Sequence, residues 1–399
     1  MPQDYACYMK STSYLLMYPK LGLHPVRVTG NTAVAGQDEA PAFPKQEEQQ
    51  VAQIAWEVIR KLENQPELLP TFAYLKKLEI QAAIVKAVEK QYQPTQLTLE
   101  GVGEKPDIAA VVAMTSDLVA QETIDIPRIL VLPKGEVRSG FHPFALNLDI
   151  LRYQAVSDDL WIQHLRTSDL VDQLYDLARQ TVRHFGSYLS EEDTAKVLRC
   201  YQRDIARFFH AQMQEHYWEE TVGYEVKVSK GFTELKPSAY ISSVQEPPAD
   251  YRVSPADKSN MAKYLFGGFQ RCLYPVQKFD SDSERKLAVI LERDTIKWFK
   301  PAKGQFQIFY RQGANHLEYQ PDFVAETTYT IYMLEPKMRK EMEDPVVLAK
   351  KDAALKWCAD ASDHVAGYGG KAWRYVLIPH DEIADNITLG GLAARFGCQ

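Results

Sequence analysis

Cysteine is scarce in this chain of 399 residues, and its placement excludes several classes of protein. The five cysteines stand far apart, at Cys7, Cys200, Cys272, Cys358 and Cys398, and none form a Cys-x-x-Cys pair. An odd and dispersed set cannot complete a disulfide framework and does not have the spacing of a zinc site. The sequence therefore predicts reduced cysteines, as is typical of the cytosol.

Long apolar runs are also missing. Apolar runs such as Tyr14–Tyr18 and Ile129–Leu132 are far shorter than the roughly 20 residues that a membrane helix needs. The first residues lack the charged start and apolar stretch of a signal peptide. We therefore predict a cytoplasmic protein without a membrane partner.

Two features expected of a chain that both moves along DNA and cuts it are absent, a phosphate-binding loop and a basic net charge. No Gly-x4-Gly-Lys-Ser/Thr loop occurs, and Gly367–Ala372, which is superficially similar, ends in alanine and is predicted to be a helix end and a turn. The net charge is -7, whereas affinity for nucleic acid comes largely from basic side chains on phosphates. The negative net charge is unfavourable for a free nuclease and compatible with a nuclease that a separate motor carries along DNA.

The sequence does contain two acidic side chains and a lysine at the spacing of a phosphodiesterase site. Glu335 and Lys337 stand two residues apart in Thr330–Lys337, so on a strand they project from one face. A turn around Thr327–Thr328 can bring Asp322 beside them. Two carboxylates next to an ammonium group suit a divalent cation and a water held against a phosphate.

The order Pro-Asp, about a dozen residues, then Glu-x-Lys resembles the PD-(D/E)xK nuclease superfamily. The flanking segments Phe279–Glu284, Asp344–Lys351 and Ala353–Cys358 resemble the C-terminal endonuclease region of type III restriction enzyme Res subunits. Ile126–Glu136 and Ile162–Thr167 resemble connecting segments of the same proteins. The resemblance runs from about residue 120 to the C-terminus.

This resemblance implies a Mg²⁺-dependent DNA endonuclease. Asp322 and Glu335 would bind the Mg²⁺, and Lys337 would position the attacking water or stabilise developing charge. Glu284 would add a carboxylate from a helix. The resemblance also implies double-stranded DNA as the substrate, an ATP-dependent translocase or helicase part on another chain, and a methyltransferase subunit as a further partner.

Five lysines are candidate DNA-binding residues: Lys297, Lys300, Lys303, Lys350 and Lys351. The first three surround Trp298 and Phe299, a basic and aromatic cluster that could follow a DNA strand. Alternation along a strand, with the aromatic rings inward, is a simpler interpretation of these three. A solvated helix face equally explains the last two.

The hydrophobic pattern and the resemblance together predict an α/β fold. A mixed central sheet flanked by helices, like that of restriction endonucleases, would follow an α-rich mixed accessory region. The predicted elements of the last part are a helix over Glu284–Asp294, strands over Ile296–Phe299, Phe306–Arg311, Tyr319–Glu326 and Thr330–Lys337, a helix over Pro345–Ala361 and a strand over Trp373–Pro379.

Three segments are predicted along the chain. Residues 1–125 would be a remnant of a helicase-type motor domain with a flexible stretch at 31–50, which is rich in Ala, Pro, Gln and Glu. Residues 126–250 would form a connecting α+β region with two long helices. Residues 251–399 would form the nuclease domain, and the turn-rich Gln245–Asp250 marks its start.

Several alternatives stay open at this point. Pro336 cannot donate a ladder hydrogen bond, so either it faces an unpaired side of its strand or the strand ends earlier. Asp322, Glu335 and Lys337 could also be a plain ion-pair cluster on a sheet surface. A first alternative function is a non-catalytic DNA-binding or assembly module of a restriction helicase complex, whose site has decayed. A nuclease that acts on DNA repair intermediates is the other alternative.

Overall fold

The computed structural model describes residues 13–17, 32–35, 42–93, 105–142, 168–242, 248–313 and 315–398. This part of the chain is a mixture of α-helices and small β-sheets, which confirms the predicted α/β class. The segment Ile162–Thr167, part of the stretch 31–50 and the first half of Gln245–Asp250 lie outside the described residues.

The α-helices of the described part are α1 (Gln46–Leu62), α2 (Leu78–Gln91), α3 (Ile108–Gln121), α4 (Ser168–Gly186), α5 (Glu191–Cys200), α6 (Gln202–Glu215), α7 (Asp282–Asp294), α8 (Pro345–Ala366) and α9 (Leu389–Phe396). None of these described helices is both long and apolar enough to cross a membrane.

The strands are β1 (Ser13–Met17), β2 (Thr32–Ala35), β3 (Arg128–Lys134), β4 (Arg138–Phe141), β5 (Tyr217–Glu220), β6 (Gly223–Lys230), β7 (Ser238–Ser242), β8 (Ala249–Asp250), β9 (Phe266–Gly267), β10 (Val276–Gln277), β11 (Lys297–Phe299), β12 (Ile308–Gln312), β13 (Asn315–Tyr319), β14 (Phe323–Glu326), β15 (Thr330–Lys337) and β16 (Ala372–Pro379). They form small sheets in the orders β2-β1-β7 and β10-β9-β8, the pairs β12-β13, β3-β6 and β4-β5, and one sheet of four strands.

The four-stranded sheet has the order β11-β14-β15-β16 and carries the candidate site. β14 lies antiparallel to both β11 and β15, whereas β15 and β16 are parallel over their full length. Parallel neighbours need a crossover connection, and α8 supplies it, packing against β16 on its return. All but two residues of β16 are buried, the pattern of a strand that is covered on both faces.

Several predicted elements agree closely with the structure, whereas α8 continues five residues beyond the predicted end at Ala361 and two further elements differ. The helix predicted over Glu284–Asp294 is α7, and the strand over Thr330–Lys337 is β15. The single strand predicted over Tyr319–Glu326 is wrong, because the strand is interrupted around Pro321: β13 ends at Tyr319 and β14 begins at Phe323. The second long helix predicted in residues 126–250 is two helices, α5 and α6, which meet at Tyr201.

Two compact units make up the fold. The first contains Met1–Leu130, Val226–Phe309 and Glu318–Gln399, and the second contains Val131–Glu225 and Tyr310–Leu317. The first unit holds the four-stranded sheet and also the packed helices α1, α2 and α3. The second holds α4, α5, α6 and the β4-β5 pair. The assignment of residues 1–125 to a motor remnant, of 126–250 to a connecting region and of 251–399 to a nuclease domain stays a prediction.

Candidate active site at one end of the central sheet

The pairing of β14 with β15 brings the predicted acidic and basic side chains together. Phe323 lies opposite Leu334, so Asp322, one residue before β14, comes level with Glu335. The Nζ atom of Lys337 lies 2.7 Å from Oε1 of Glu335 and 3.5 Å from Oδ2 of Asp322. The two carboxylates and the ammonium group therefore meet at one point.

Pro336 does not disturb this arrangement. The ladder between β14 and β15 ends at Leu334, while β15 continues to Lys337 beside β16 alone. Since Pro336 lies beyond Leu334, its missing N–H group removes no hydrogen bond between β15 and β14. The strand keeps its full length, and Glu335 and Lys337 share a side as their spacing predicts.

Glu335 is held on both sides of its carboxylate. Its side chain is only 4% exposed, and its Oε2 accepts a hydrogen bond of 2.7 Å from the hydroxyl of Tyr319. Burial and the neighbouring Glu335 raise the pKa of Tyr319 well above its ordinary value, so the hydroxyl remains a donor. Such a buried, fixed group differs from a solvated surface ion pair, whose two partners sample many geometries.

Helix α7 supplies a third carboxylate. Ser281 caps the helix, because its hydroxyl accepts a 3.2 Å hydrogen bond from the backbone N–H of Glu284. The Glu284 side chain accepts from the N–H of Asp280 at 3.3 Å and forms an ion pair with Lys300. Burial raises the pKa of Glu284, and the nearby Asp322 raises it further, against the effect of Lys300.

The local charge balance favours a cation. Three carboxylates, those of Asp322, Glu335 and Glu284, face two ammonium groups, those of Lys300 and Lys337. Burial and then the negative charge of Glu335 raise the pKa of Asp322 to about 6, although Lys337 and Lys300 oppose the shift. A site that makes ionisation of an aspartate costly would gain from one more positive charge.

The donor chemistry fits Mg²⁺, with two carboxylates rather than a complete cage. Among the described residues no three His, Cys, Asp or Glu side chains are grouped so that they could hold a metal ion. Mg²⁺ is usually bound by one or two carboxylates together with waters and substrate phosphate oxygens. Asp322 and Glu335 are the two side chains that would provide these ligands.

The predicted DNA-binding lysines are not all at this site. Lys300 belongs to it through Glu284. Lys297 lies at the opposite end of β14, where it donates to the backbone oxygen of Ala120 at 2.7 Å and pairs with Glu326 at 3.3 Å. Lys303 is exposed, and Lys350 and Lys351 are half-buried on α8.

The aromatic part of the predicted DNA-tracking cluster is wrong. Trp298 and Phe299 are completely buried in the core of the sheet, so neither ring can stack on a base. The inward placement of the aromatic side chains in the simpler interpretation is confirmed, whereas the alternation is not, because these adjacent residues are both buried.

The segment Gly367–Ala372 is a turn, as predicted, and not a phosphate loop. Helix α8 ends at Ala366, and Gly369 adopts a φ of 72°, a left-handed conformation that suits glycine. Lys371 is bound to Glu326, with its Nζ 2.6 Å from Oε1. Its ammonium group is thus used to stabilise the far end of the sheet.

Sequence reasoning missed Tyr319 and the role of Lys300 at the site. Lys300 precedes Asp322 by more than twenty residues, and its contact with Glu284 depends on the packing of α7 against the sheet. Tyr319 could have been noticed as a tyrosine just before the Pro-Asp step, but no spacing rule indicates where its ring would turn.

Comparison with known proteins gives no relative for this chain: no family model, no curated protein and no solved structure matches it. The resemblance to type III restriction enzymes therefore stays a hypothesis that rests on the quoted motifs.

Proposed function

We propose that this chain contains a Mg²⁺-dependent DNA endonuclease that hydrolyses phosphodiester bonds in a restriction-endonuclease-like domain. The observation that carries the proposal is the meeting of Asp322, Glu335 and Lys337 at one end of the central sheet, within electrostatic reach of Glu284. The mixed sheet flanked by α7 and α8 is compatible with that fold.

In the proposed reaction Asp322 and Glu335 hold the metal ion. When bound, Mg²⁺ lowers the pKa of a coordinated water and offsets charge on the phosphate. Tyr319 keeps the Glu335 carboxylate in one orientation through its 2.7 Å hydrogen bond. Glu284 holds Lys300 in the same cluster, which adds a second positive group beside the phosphate position.

Lys337 acts as a fixed positive charge in this proposal rather than as a general base. Burial lowers the pKa of its ammonium group, but Glu335 and Asp322 more than compensate, and the net shift is upward. A lysine that stays protonated can donate hydrogen bonds to a phosphate oxygen or to the attacking water. It cannot accept the proton of that water.

The wider biological setting is proposed from the resemblance alone. It comprises a type III-like restriction system in the cytoplasm, double-stranded DNA as the substrate, an ATP-driven translocase part on another chain and a methyltransferase subunit. Among the candidate lysines, the exposed Lys303 and the half-buried Lys350 and Lys351 lie outside the candidate active site, and we propose that they contact the DNA backbone.

The test is plasmid cleavage with Mg²⁺ by the full chain, alongside Mg²⁺ binding measured by calorimetry. We expect Asp322→Ala to lower cleavage by about 10²-fold or more, the usual loss when a group that stabilises the transition state is removed. Glu326→Gln is the matched control, because Glu326 is also a lysine-paired carboxylate on β14 but lies at its other end. It should retain cleavage and Mg²⁺ binding.

The binding measurement separates a silent nuclease from a wrong proposal. Mg²⁺ binding that Asp322→Ala abolishes and Glu326→Gln preserves would support the site even if cleavage requires a motor partner. If the wild-type chain neither binds Mg²⁺ nor cleaves DNA, the nuclease proposal is overturned. Equal cleavage by wild type and Asp322→Ala would also overturn it.

A further inference from the structure

A separate cavity of about 400 Å³ lies within the first unit. Its walls come from α1, β3, β6, the segment 233–237 and the loop 304–307, and they include no residue of the candidate active site. Small-molecule sites usually occupy about 300–1,000 Å³, so this cavity has room for a ligand of nucleotide size or smaller. Nothing in the proposed nuclease reaction uses it.

Positive charge exceeds negative charge around this cavity. Four cationic side chains line it: Arg60, Arg128, Lys230 and Lys236. Two glutamates also line it, and each takes one of these cations. Glu234 lies 2.8 Å from Nε of Arg60, and Glu63 forms an ion pair with Lys230. No carboxylate among the residues that line the cavity pairs with Arg128 or Lys236, which leaves two positive charges in excess.

The guanidinium of Arg128 is the most informative of these groups. Its Nε atom is buried, and it has no hydrogen-bond partner in the described part of the chain. A buried donor that is left unsatisfied costs about 1–3 kcal/mol, so native proteins rarely keep one without an acceptor from water or a ligand. An arginine fork is the side chain best suited to phosphate oxygens.

Hydrogen bonds connect the segment 233–237 with the loop 304–307 at the wall of the cavity. Gln305 is 3% exposed. Its side-chain amide accepts a hydrogen bond of 2.8 Å from the backbone N–H of Lys236 and donates one of 3.0 Å to the backbone oxygen of Glu234. The Nζ atom of Lys236 donates to the oxygen of Gly304 at 2.7 Å, which fixes that ammonium group without neutralising it. These hydrogen bonds tie the two segments together at the cavity.

Backbone strain marks the same loop. Gln307, which also lines the cavity, has a φ of 56° and is the non-glycine residue with a positive φ among the described residues. Such a conformation costs about 1 kcal/mol or more and persists where the surroundings impose it, often at ligand sites. It adds a second, independent sign that this loop is shaped for binding.

We propose that this cavity binds a small phosphorylated molecule through its phosphate group, with Arg128 and Lys236 as the direct ligands. A phosphate monoester carries about two negative charges near neutral pH, which matches the excess positive charge of the walls. The site is independent of the proposed nuclease activity, since the two share no residue.

The test is calorimetry on the full chain with inorganic phosphate, pyrophosphate and adenosine monophosphate, without added metal. We expect at least one of the three to bind and Arg128→Gln to weaken that binding at least about tenfold, because a charge-assisted hydrogen bond from the Arg128 guanidinium to the phosphate is lost. Lys236→Gln should weaken it in the same direction. Arg374→Gln removes the same charge from an exposed arginine on β16 outside the cavity, and it should leave binding unchanged.

Three results would overturn the proposal. The first is that none of the three phosphates binds at about 10 mM, because a specific site should have a dissociation constant below that concentration. The second is equal weakening by Arg374→Gln and by the two cavity variants, which would indicate a diffuse charge effect. The third is binding of an oligonucleotide without terminal phosphates together with no binding of the small ligands. If Arg128→Gln does not fold, Lys236→Gln is the cavity variant that is compared with Arg374→Gln. Weaker phosphate binding by Lys236→Gln alone would then support the proposal, and equal weakening by both would overturn it.

Discussion

Asp322 is the residue at which the proposed function and the stability of the fold oppose each other. Its pKa in the folded protein is raised from the ordinary 3.8 to about 6, chiefly by burial and by Glu335. The folded state therefore holds a proton on Asp322 more tightly than the unfolded chain does. The stability gained in this way is complete below the unfolded pKa and is lost as the pH rises through about 6. A bound cation would offset that loss at neutral pH.

Replacing Asp322 by asparagine should consequently stabilise the metal-free protein above that pH range. A rise of about 1–2 kcal/mol in the free energy of unfolding is expected near pH 8, less than the full shift implies because the side chain is 30% exposed. Urea unfolding of wild type and Asp322→Asn, with chelator present, measures it at about pH 4 and about pH 8. The difference should vanish at the lower pH. A wild type that is more stable near pH 8 would mean that the contact with Lys337 outweighs burial.

At this scale the sequence was sufficient for residues that share a strand. The two-residue spacing of Glu335 and Lys337 predicted their common side, and the structure has their charged atoms 2.7 Å apart. It was insufficient for Tyr319 and Lys300, because each reaches its carboxylate from another element. Only the three-dimensional path of the chain decides which distant polar side chain meets a buried carboxylate.

Among the elements, α7 places Glu284 at the site through its first turn. The Ser281 hydroxyl caps the helix on the N–H of Glu284, and the Glu284 carboxylate reaches back to the N–H of Asp280. This exchange resembles a capping box shifted by one residue. The position of the third carboxylate thus depends on a local hydrogen bond and not only on packing against the sheet.

Loss of that cap should be measurable. Ser281→Ala is expected to lower the free energy of unfolding by about 1 kcal/mol, the usual cost of removing a serine N-cap. Ser281→Thr keeps a hydroxyl at the cap and should stay within a few tenths of wild type. Denaturant midpoints of the three proteins give the comparison. An equal loss in both variants would show that the site tolerates no change of shape there and that the hydroxyl is not the cause.

The central strand β15 could be predicted, whereas the division between β13 and β14 could not be read from alternation alone. The run from Thr330 to Lys337 follows a clear turn, and its bounds agree with the structure. The residues around Pro321 continue an apolar pattern across the break. Proline within a strand run is a warning of such a break. The order of the sheet depends on pairings between distant segments, which no local pattern contains.

On the scale of the whole molecule, the described residues of the two units differ in how much apolar surface they bury. The first unit has extensive cores around α1–α3 and around the four-stranded sheet. In the second, the described cluster has Leu177 and Met213 as its buried members, with Phe141, Phe208 and Phe209 partly buried around them. Hydrophobic burial is the main favourable term in folding, so local stability should follow the same division.

Hydrogen exchange followed by mass spectrometry would test this difference in stability. Amides of α5 and α6 in the second unit should exchange at least about tenfold faster, relative to their intrinsic rates, than those of α8 and β16 in the first. The reason is that, within the part of the second unit that the structure describes, few buried apolar side chains hold α5 and α6, so local opening there costs less free energy. Phosphate added at saturation should slow exchange of the loop 304–307 without affecting α5 or α6, if the cavity in the first unit binds it. Uniform protection across both units would contradict the stability difference inferred from their cores.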